Sequence, residues 1–140
     1  VRVYEAFETS ERLISEGRQC QIEFAGKVIC LVKVRPADAA LNADYRRELS
    51  ELSIGLKGNG LDDMDEDADR EMLWKIYAKT VISEWEWVDP ADKKDPKLKF
   101  SEKNAVALFK RVPKFFQGIQ RVALQWSNFR VEHEEAAAGN

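Results

Sequence analysis

The chain is poor in the residues from which most catalytic and metal sites are built. Its 140 residues include one histidine, His133, and two cysteines, Cys20 and Cys30. A nucleophile activated by an imidazole needs further partners, and a zinc site needs three or four ligands, so a lone His133 supplies neither. The spacing of the cysteines fits no metal motif. Both lie in an apolar, strand-like stretch, the pattern of small buried thiols kept reduced in a cytoplasm. No apolar run approaches the ~18 residues of a membrane span. The opening "VRVYEAFETSERLISEG" lacks the apolar stretch and small-residue cleavage site of a secretory leader. The glycines of "GLKGNG" follow a helical pattern and lack the Gly-Lys-Ser/Thr ending of a phosphate loop. Acids are plentiful, yet no pair is marked out for acid–base work. These absences predict a protein that is not an enzyme and needs no cofactor.

One acidic run comes closer to a motif. In "DDMDEDADREM", Asp63, Asp65, Asp67 and Asp69 fall at positions one, three, five and seven of a calcium loop. Position six is Ala68, where the sharp turn needs glycine. Position twelve is Trp74, where a bidentate glutamate belongs. The run reads instead as a helix N-terminus whose acids complement the macrodipole, with no metal expected.

The net charge of −3 conceals a division. Residues 59–92 carry eleven acids and three bases, and residues 93–130 carry ten bases and two acids. Two readings stand: solvated faces that attract each other when helices pack antiparallel, or bipolar charge for self-association or a charged partner. The bases from Lys93 to Lys114 are interleaved with Phe100 and Phe109, as in some single-strand binders. These aromatics fit a core better, and a pI near 5.3 disfavours nucleic acid.

What the chain does have is patterned apolar sequence. "CQIEFAGKVICLVKV" predicts a β-hairpin. A three-residue turn at Ala25-Gly26-Lys27 would set Cys20, Ile22 and Phe24 against Val32, Cys30 and Val28 on one apolar face. "VRVYEAF" is a candidate third strand. "TSERLISEG" predicts a short helix capped by Thr9 or Ser10 and stopped at Gly17. Pro36 opens a helical pattern through Leu41, Tyr45, Glu48, Leu49, Leu52 and Leu56. A second helix is expected from Asp65 to Val88, with Met72, Leu73, Ile76, Tyr77, Thr80, Val81, Trp85 and Val88 as its stripe and Pro90 as its stop. Ser101 caps a third helix carrying Ala105, Leu108 and Phe109. A fourth begins at Pro113 and carries Phe115, Ile119, Val122, Trp126 and Phe129, with His133 on the same seam. The tail "EHEEAAAGN" is expected to fray. The expected fold is α+β, one domain over residues 1–140. Residues 1–35 form its β-rich part, residues 36–135 its helical part and residues 136–140 its tail.

On a helix, residues two apart diverge by about 200°. Trp85 would then belong to the core stripe and Trp87 would point elsewhere, beside the mobile, charged "DPADKKD". Packing of Trp87 on the N-terminal sheet is the competing placement.

The second half resembles the tail assembly chaperones of long-tailed bacteriophages and prophages. The likeness is carried by Tyr77, Trp85-Glu86-Trp87-Val88, Phe100-Ser101, Asn104-Ala105, Leu108-Phe109, Pro113, Phe116 and Phe129. The N-terminal half adds a small hairpin followed by "ADYRREL" at residues 43–49. The long "DPADKKDPK" departs from the short Asp-Gly turn usual at that place. The resemblance implies a non-enzymatic factor in the host cytoplasm. Such a factor coats the tape-measure protein, assists assembly of the major tail tube protein around it, and is absent from the mature virion. Self-association is a further partner expectation. Trp87, Phe100 and Phe116 would be its partner-binding residues. The alternatives are a structural tail or connector protein retained in the virion and a small nucleic-acid-binding regulator.

Overall fold

The computed structural model describes residues 2–56 and 66–134. The fold is α+β: a three-stranded antiparallel sheet packed against helices. Two short helices come first, α1 (Val3–Phe7) and α2 (Glu11–Glu16). The expected strand in "VRVYEAF" is therefore a helix, held by the bond from Ala6 N–H to Arg2 O, and none of its residues is buried. In α2, Ser10 Oγ accepts from Leu13 N–H, and Gly17 ends the helix at φ 96°. A Cβ at Gly17 would lie 3.0 Å from backbone atoms of Lys33 and Val34, so glycine is required both for its dihedral and for this close approach.

The hairpin forms from β1 (Arg18–Phe24) and β2 (Lys27–Val34). Cys20 faces Val32 and Ile22 faces Cys30, as the apolar pattern predicts. The turn is one residue shorter than expected. Ala25 and Gly26, at φ 53° and 79°, form a two-residue turn with positive φ at both positions, and Phe24 pairs with Lys27. A bulge at Ile22/Glu23, with Ile29 as the extra residue on β2, absorbs the difference; Phe24 then lies opposite Lys27 in place of Val28 and is 73% exposed.

Helix α3 (Ala43–Leu56) starts later than Pro36 because side chains bend the approach. Asp38 Oδ1 accepts from Ala40 and Leu41 N–H, and Asn42 Oδ1 accepts from Tyr45 N–H. Fully buried Asn42 also donates to the carbonyls of Pro36 and Thr80 and accepts from Arg35. Arg35 in turn reaches Ile14 O and Asp44, whose carboxyl the Arg35 hydrogen bond holds below the usual range. This node ties α2, the end of β2, α3 and the end of α4 together.

The largest correction concerns residues 82–88. Helix α4 (Glu66–Thr80) stops at Thr80, and β3 (Ile82–Trp87) follows. β3 pairs with β2 and completes the order β1-β2-β3. The sheet is thus not confined to residues 1–35. The local reason is the alternation Glu84-Trp85-Glu86-Trp87, a period of two that a half-buried strand satisfies and a helix does not. Lys33 lies opposite Glu84 and forms an ion pair with it at 3.1 Å. A bulge at Lys33/Val34 resets the parity, so Ile82, Trp85 and Trp87 are all buried.

Helix α6 (Glu102–Arg111) carries the expected Ser101 cap, and α7 (Pro113–Ala123) begins at Pro113. α7 ends at Ala123 instead of continuing to Phe129. Asn128 Nδ2 and Gln125 N–H take the carbonyl of Val122, and the chain turns to pair with residues 8–10 through Ser10 N–H to Phe129 O and Val131 N–H to Glu8 O. Phe129 is buried by this return, but Trp126 is left 37% exposed, stacked on Phe7. The core lies between the sheet, with Cys30, Val32, Val34 and both β3 tryptophans, and the inner faces of α4, α6 and α7.

Candidate functional site: an aromatic cleft beneath a capped loop

The charged segment after β3 is a succession of caps. Asp89 Oδ1 accepts from Ala91 N–H and opens α5 (Pro90–Lys94). Asp95 Oδ1 accepts from Lys97 N–H and opens a single 3-10 turn, and Ser101 Oγ accepts from Asn104 N–H at the start of α6. Each Asp is followed by a proline, which suits the first helical position because its missing N–H would have no partner there. The expected mobile excursion is therefore a chain of capped turns.

Those turns are fastened from beneath. The indole N–H groups of Trp85 and Trp87 both donate to Leu98 O, at 2.7 and 2.9 Å. Asn104 Nδ2 donates to the carbonyls of Pro96 and Lys99, at 3.0 and 2.8 Å. Both buried indoles thus find the polar partner that burial demands, on one carbonyl. Between loop and strand lies a cleft of about 540 Å³, with Trp85, Trp87, Leu98 and Phe100 as its apolar lining and Glu86, Lys93, Lys94 and Lys99 among its charged residues.

Trp87 does not point away from Trp85. Strand alternation puts both on the core face, their rings 5.9 Å apart, and Trp87 stacks on Phe115 at 5.8 Å. Trp87 is 8% exposed, so the competing placement on the sheet is the one observed. Phe100 is half-buried, its ring 5.2 Å from Trp85. Trp87 and Phe100 therefore meet at the cleft. Phe116 does not join them: it packs on Tyr77 and Phe109, at 4.9 and 5.1 Å. Contacts continue from Phe100 through Trp85, Trp87, Phe115, Phe109 and Phe116 to Tyr77 and Tyr45 as one aromatic spine.

Beneath the cleft Cys30 faces Trp87 across the strands, and burial pushes its thiol up to about 12. Cys20, the other free thiol, is pushed up to about 11 by the same cause. Among the ion pairs of the described residues, only Lys93–Glu86, at 3.8 Å, joins the acidic stretch to the basic one. Lys94 and Lys99 line the cleft and stay exposed. Asn104 and the carbonyl of Leu98 are the parts of the site that residue-type reasoning does not single out. The signal for Asn104 is its position three residues after a serine cap. Of the calcium-loop positions, residues 63–65 lie outside the described residues; among those described, no group of three or more metal-ligating side chains gathers.

A family model described as YdaY prophage protein matches residues 39–140. The chain belongs to the YdaY prophage protein family. The matched region holds the whole cleft, the capped loop and the helices α3, α4, α6 and α7, whereas β1 and β2 precede it. No curated protein and no solved structure matches the chain. The YdaY match makes this a prophage protein, the coarser part of what the phage resemblance implies.

Proposed function

We propose that this YdaY-family protein is a tail assembly chaperone, a non-enzymatic factor that binds the tape-measure protein in the host cytoplasm and leaves before the particle is complete. One observation carries the reading within the phage setting. The residues of the resemblance that are scattered in sequence, Trp85-Glu86-Trp87, Phe100-Ser101 and Asn104, come together as one hydrogen-bonded unit. That unit frames a cleft with an aromatic floor and a lysine rim. An apolar side chain of a partner can enter such a cleft while the lysines select acidic neighbours, a division of labour usual at interfaces. Phe100 and the cleft edge of Trp87 are the anchors in this reading. Phe115, stacked on Trp87, is the platform behind them, and Phe116 lies deeper, reached through Phe109.

The test is co-expression with the long tape-measure protein of the same prophage, followed by pull-down and by mass spectrometry of purified particles. Capture of the tape-measure protein, its loss by about tenfold in a Lys94→Glu/Lys99→Glu variant of unchanged melting temperature, and absence from particles are expected. Stoichiometric presence in the particle would make the protein a structural tail or connector component. A salt-dependent shift of nucleic acid without capture would make it a nucleic-acid binder.

A further inference from the structure

β1 and β3 are the two edges of the sheet, and they end differently. β3 lies beneath the capped loop, with Trp85 and Trp87 fastened to Leu98 O. β1 has only β2 beside it. Strand parity fixes which of its backbone groups are free. Val88 N–H donates to Ile29 O, so Ile29, Leu31 and Lys33 turn their backbone groups to β3. Cys30 and Val32 then bond β1, through their partners Ile22 and Cys20. The backbones of Gln19, Gln21 and Glu23 therefore point out of the sheet. Among the described residues no backbone group outside the hairpin meets them. The described end of the chain takes its backbone partners at Glu8 and Ser10, not from β1.

Natural edges are blunted by lysine, proline, brevity or a bulge. β1 is seven residues long and holds neither lysine nor proline, and the extra residue of its bulge sits on β2. Gln21 and Glu23 are exposed, Phe24 is largely in solvent, and Cys20 and Ile22 are half-buried. Such an edge is a template for another strand.

We propose that two copies of the chain pair through β1 about a two-fold axis at Gln21, which joins their sheets into one. Three arguments select a second copy. Identical edges related by a two-fold axis run antiparallel, and an axis at Gln21, the middle of the strand, pairs all seven residues. The register is also self-complementary. Gln21 meets Gln21 of the other copy, Gln19 meets Glu23, Ile22 meets Cys20, and Phe24 meets the aliphatic stem of Arg18. No like charges stand opposite each other, and the exposed ring and the half-buried pair are covered. Lastly, Gln19 stands opposite Lys33, so the incoming Glu23 carboxylate arrives on the side of a base. Against these, α7 packs on β1 and carries exposed Lys114 and Arg121. These bases repel across the junction, so added salt should tighten the pairing. The inference does not rest on the chaperone reading, because β1 lines no part of the cleft.

Sedimentation velocity of the full chain from about 1 to 100 µM should show a monomer–dimer equilibrium with a micromolar Kd. Gln21→Pro removes the outward N–H at the axis and touches no bond to β2. It should weaken the dimer by about tenfold or more at an unchanged melting temperature. Gln21→Lys and Gln21→Glu each set like charges face to face and should weaken it by about fivefold, and mixing the two variants should restore it. Gln21 is exposed, so this rescue keeps the test decisive even if Gln21→Pro fails to fold. A chain that stays monomeric at about 100 µM, a dimer indifferent to all three variants, or no recovery on mixing would overturn the proposal. So would a monomer that binds an extended peptide and loses it in Gln21→Pro, which would assign the edge to a foreign strand.

Discussion

On the sheet, Trp85 and Trp87 lie beneath a capped loop, both indole N–H groups on the carbonyl of Leu98. Beside the N-terminal segment, Trp126 stacks on Phe7 at 5.4 Å and keeps 37% of its surface in solvent. The same residue type thus serves two purposes. The β3 pair is enclosed by a strand, α7 and a loop, and its polar edges are satisfied. Among the described residues Trp126 has one aromatic neighbour, Phe7, on a helix that buries nothing. Local period decides between these fates. Glu84-Trp85-Glu86-Trp87 alternates and so delivers two indoles to one face. Trp126 continues the α7 stripe by sequence only, because the helix ends three residues earlier.

The comparison is broken most severely by Trp87→Ala. It empties a large site between Phe115, Trp85 and Cys30 and should cost about 3–5 kcal/mol in chemical denaturation. A loss below about 1 kcal/mol would mean that the indole is not part of the core.

A smaller effect sharpens the comparison through Cys30. Its raised folded pKa means that the protonated thiol is favoured on folding. This contribution is fully present below the ordinary value of 9.0 and is lost as pH rises toward about 12. Stability should therefore fall over that alkaline interval. Cys30 should react slowly with a thiol reagent at pH 8 in the wild type, markedly faster in Trp87→Ala, and at the wild-type rate in Trp126→Ala. Equal rates in all three proteins would separate the thiol from the Trp87 site.

The smallest effect belongs to Trp126→Ala, expected at about 1 kcal/mol or less because the side chain is already part-exposed. A cost as large as that of Trp87→Ala would restore Trp126 to the core and imply that α7 runs on.

Much of the fold was legible in the residues: the α+β class, the hairpin partners Cys20–Val32 and Ile22–Cys30, the Ser10 and Ser101 caps, the Gly17 stop and the start at Pro113. Each is a local rule acting within a few residues. The misreadings have one cause in common. Val81, Trp85 and Val88 mimic a helical stripe, and so do Val122, Trp126 and Phe129. What overrides them is non-local: β2 offers an edge to residues 82–87, and Glu8 and Ser10 offer an edge to residues 129–131. The alternation at Glu84–Trp87 was the available sign in the first case. No comparable sign precedes Asn128, whose amide takes the Val122 carbonyl. Of the candidate site, the aromatics Trp87 and Phe100 were legible. The joint acceptor, Leu98 O, was not, since a backbone carbonyl has no signature in sequence.

The central place of β2 has a consequence for the order in which the molecule is made. β1 and β2 can zip as soon as Val34 clears the ribosome, but the other edge of β2 waits for a strand that ends at Trp87. At a synthesis rate of roughly 5–20 residues per second that interval is about 3–10 s. Throughout it the nascent hairpin offers an open template of alternating valines and a cysteine. Lys33, which later meets Glu84, stands on that strand as a charge of the kind that discourages stray strand pairing until the proper partner arrives.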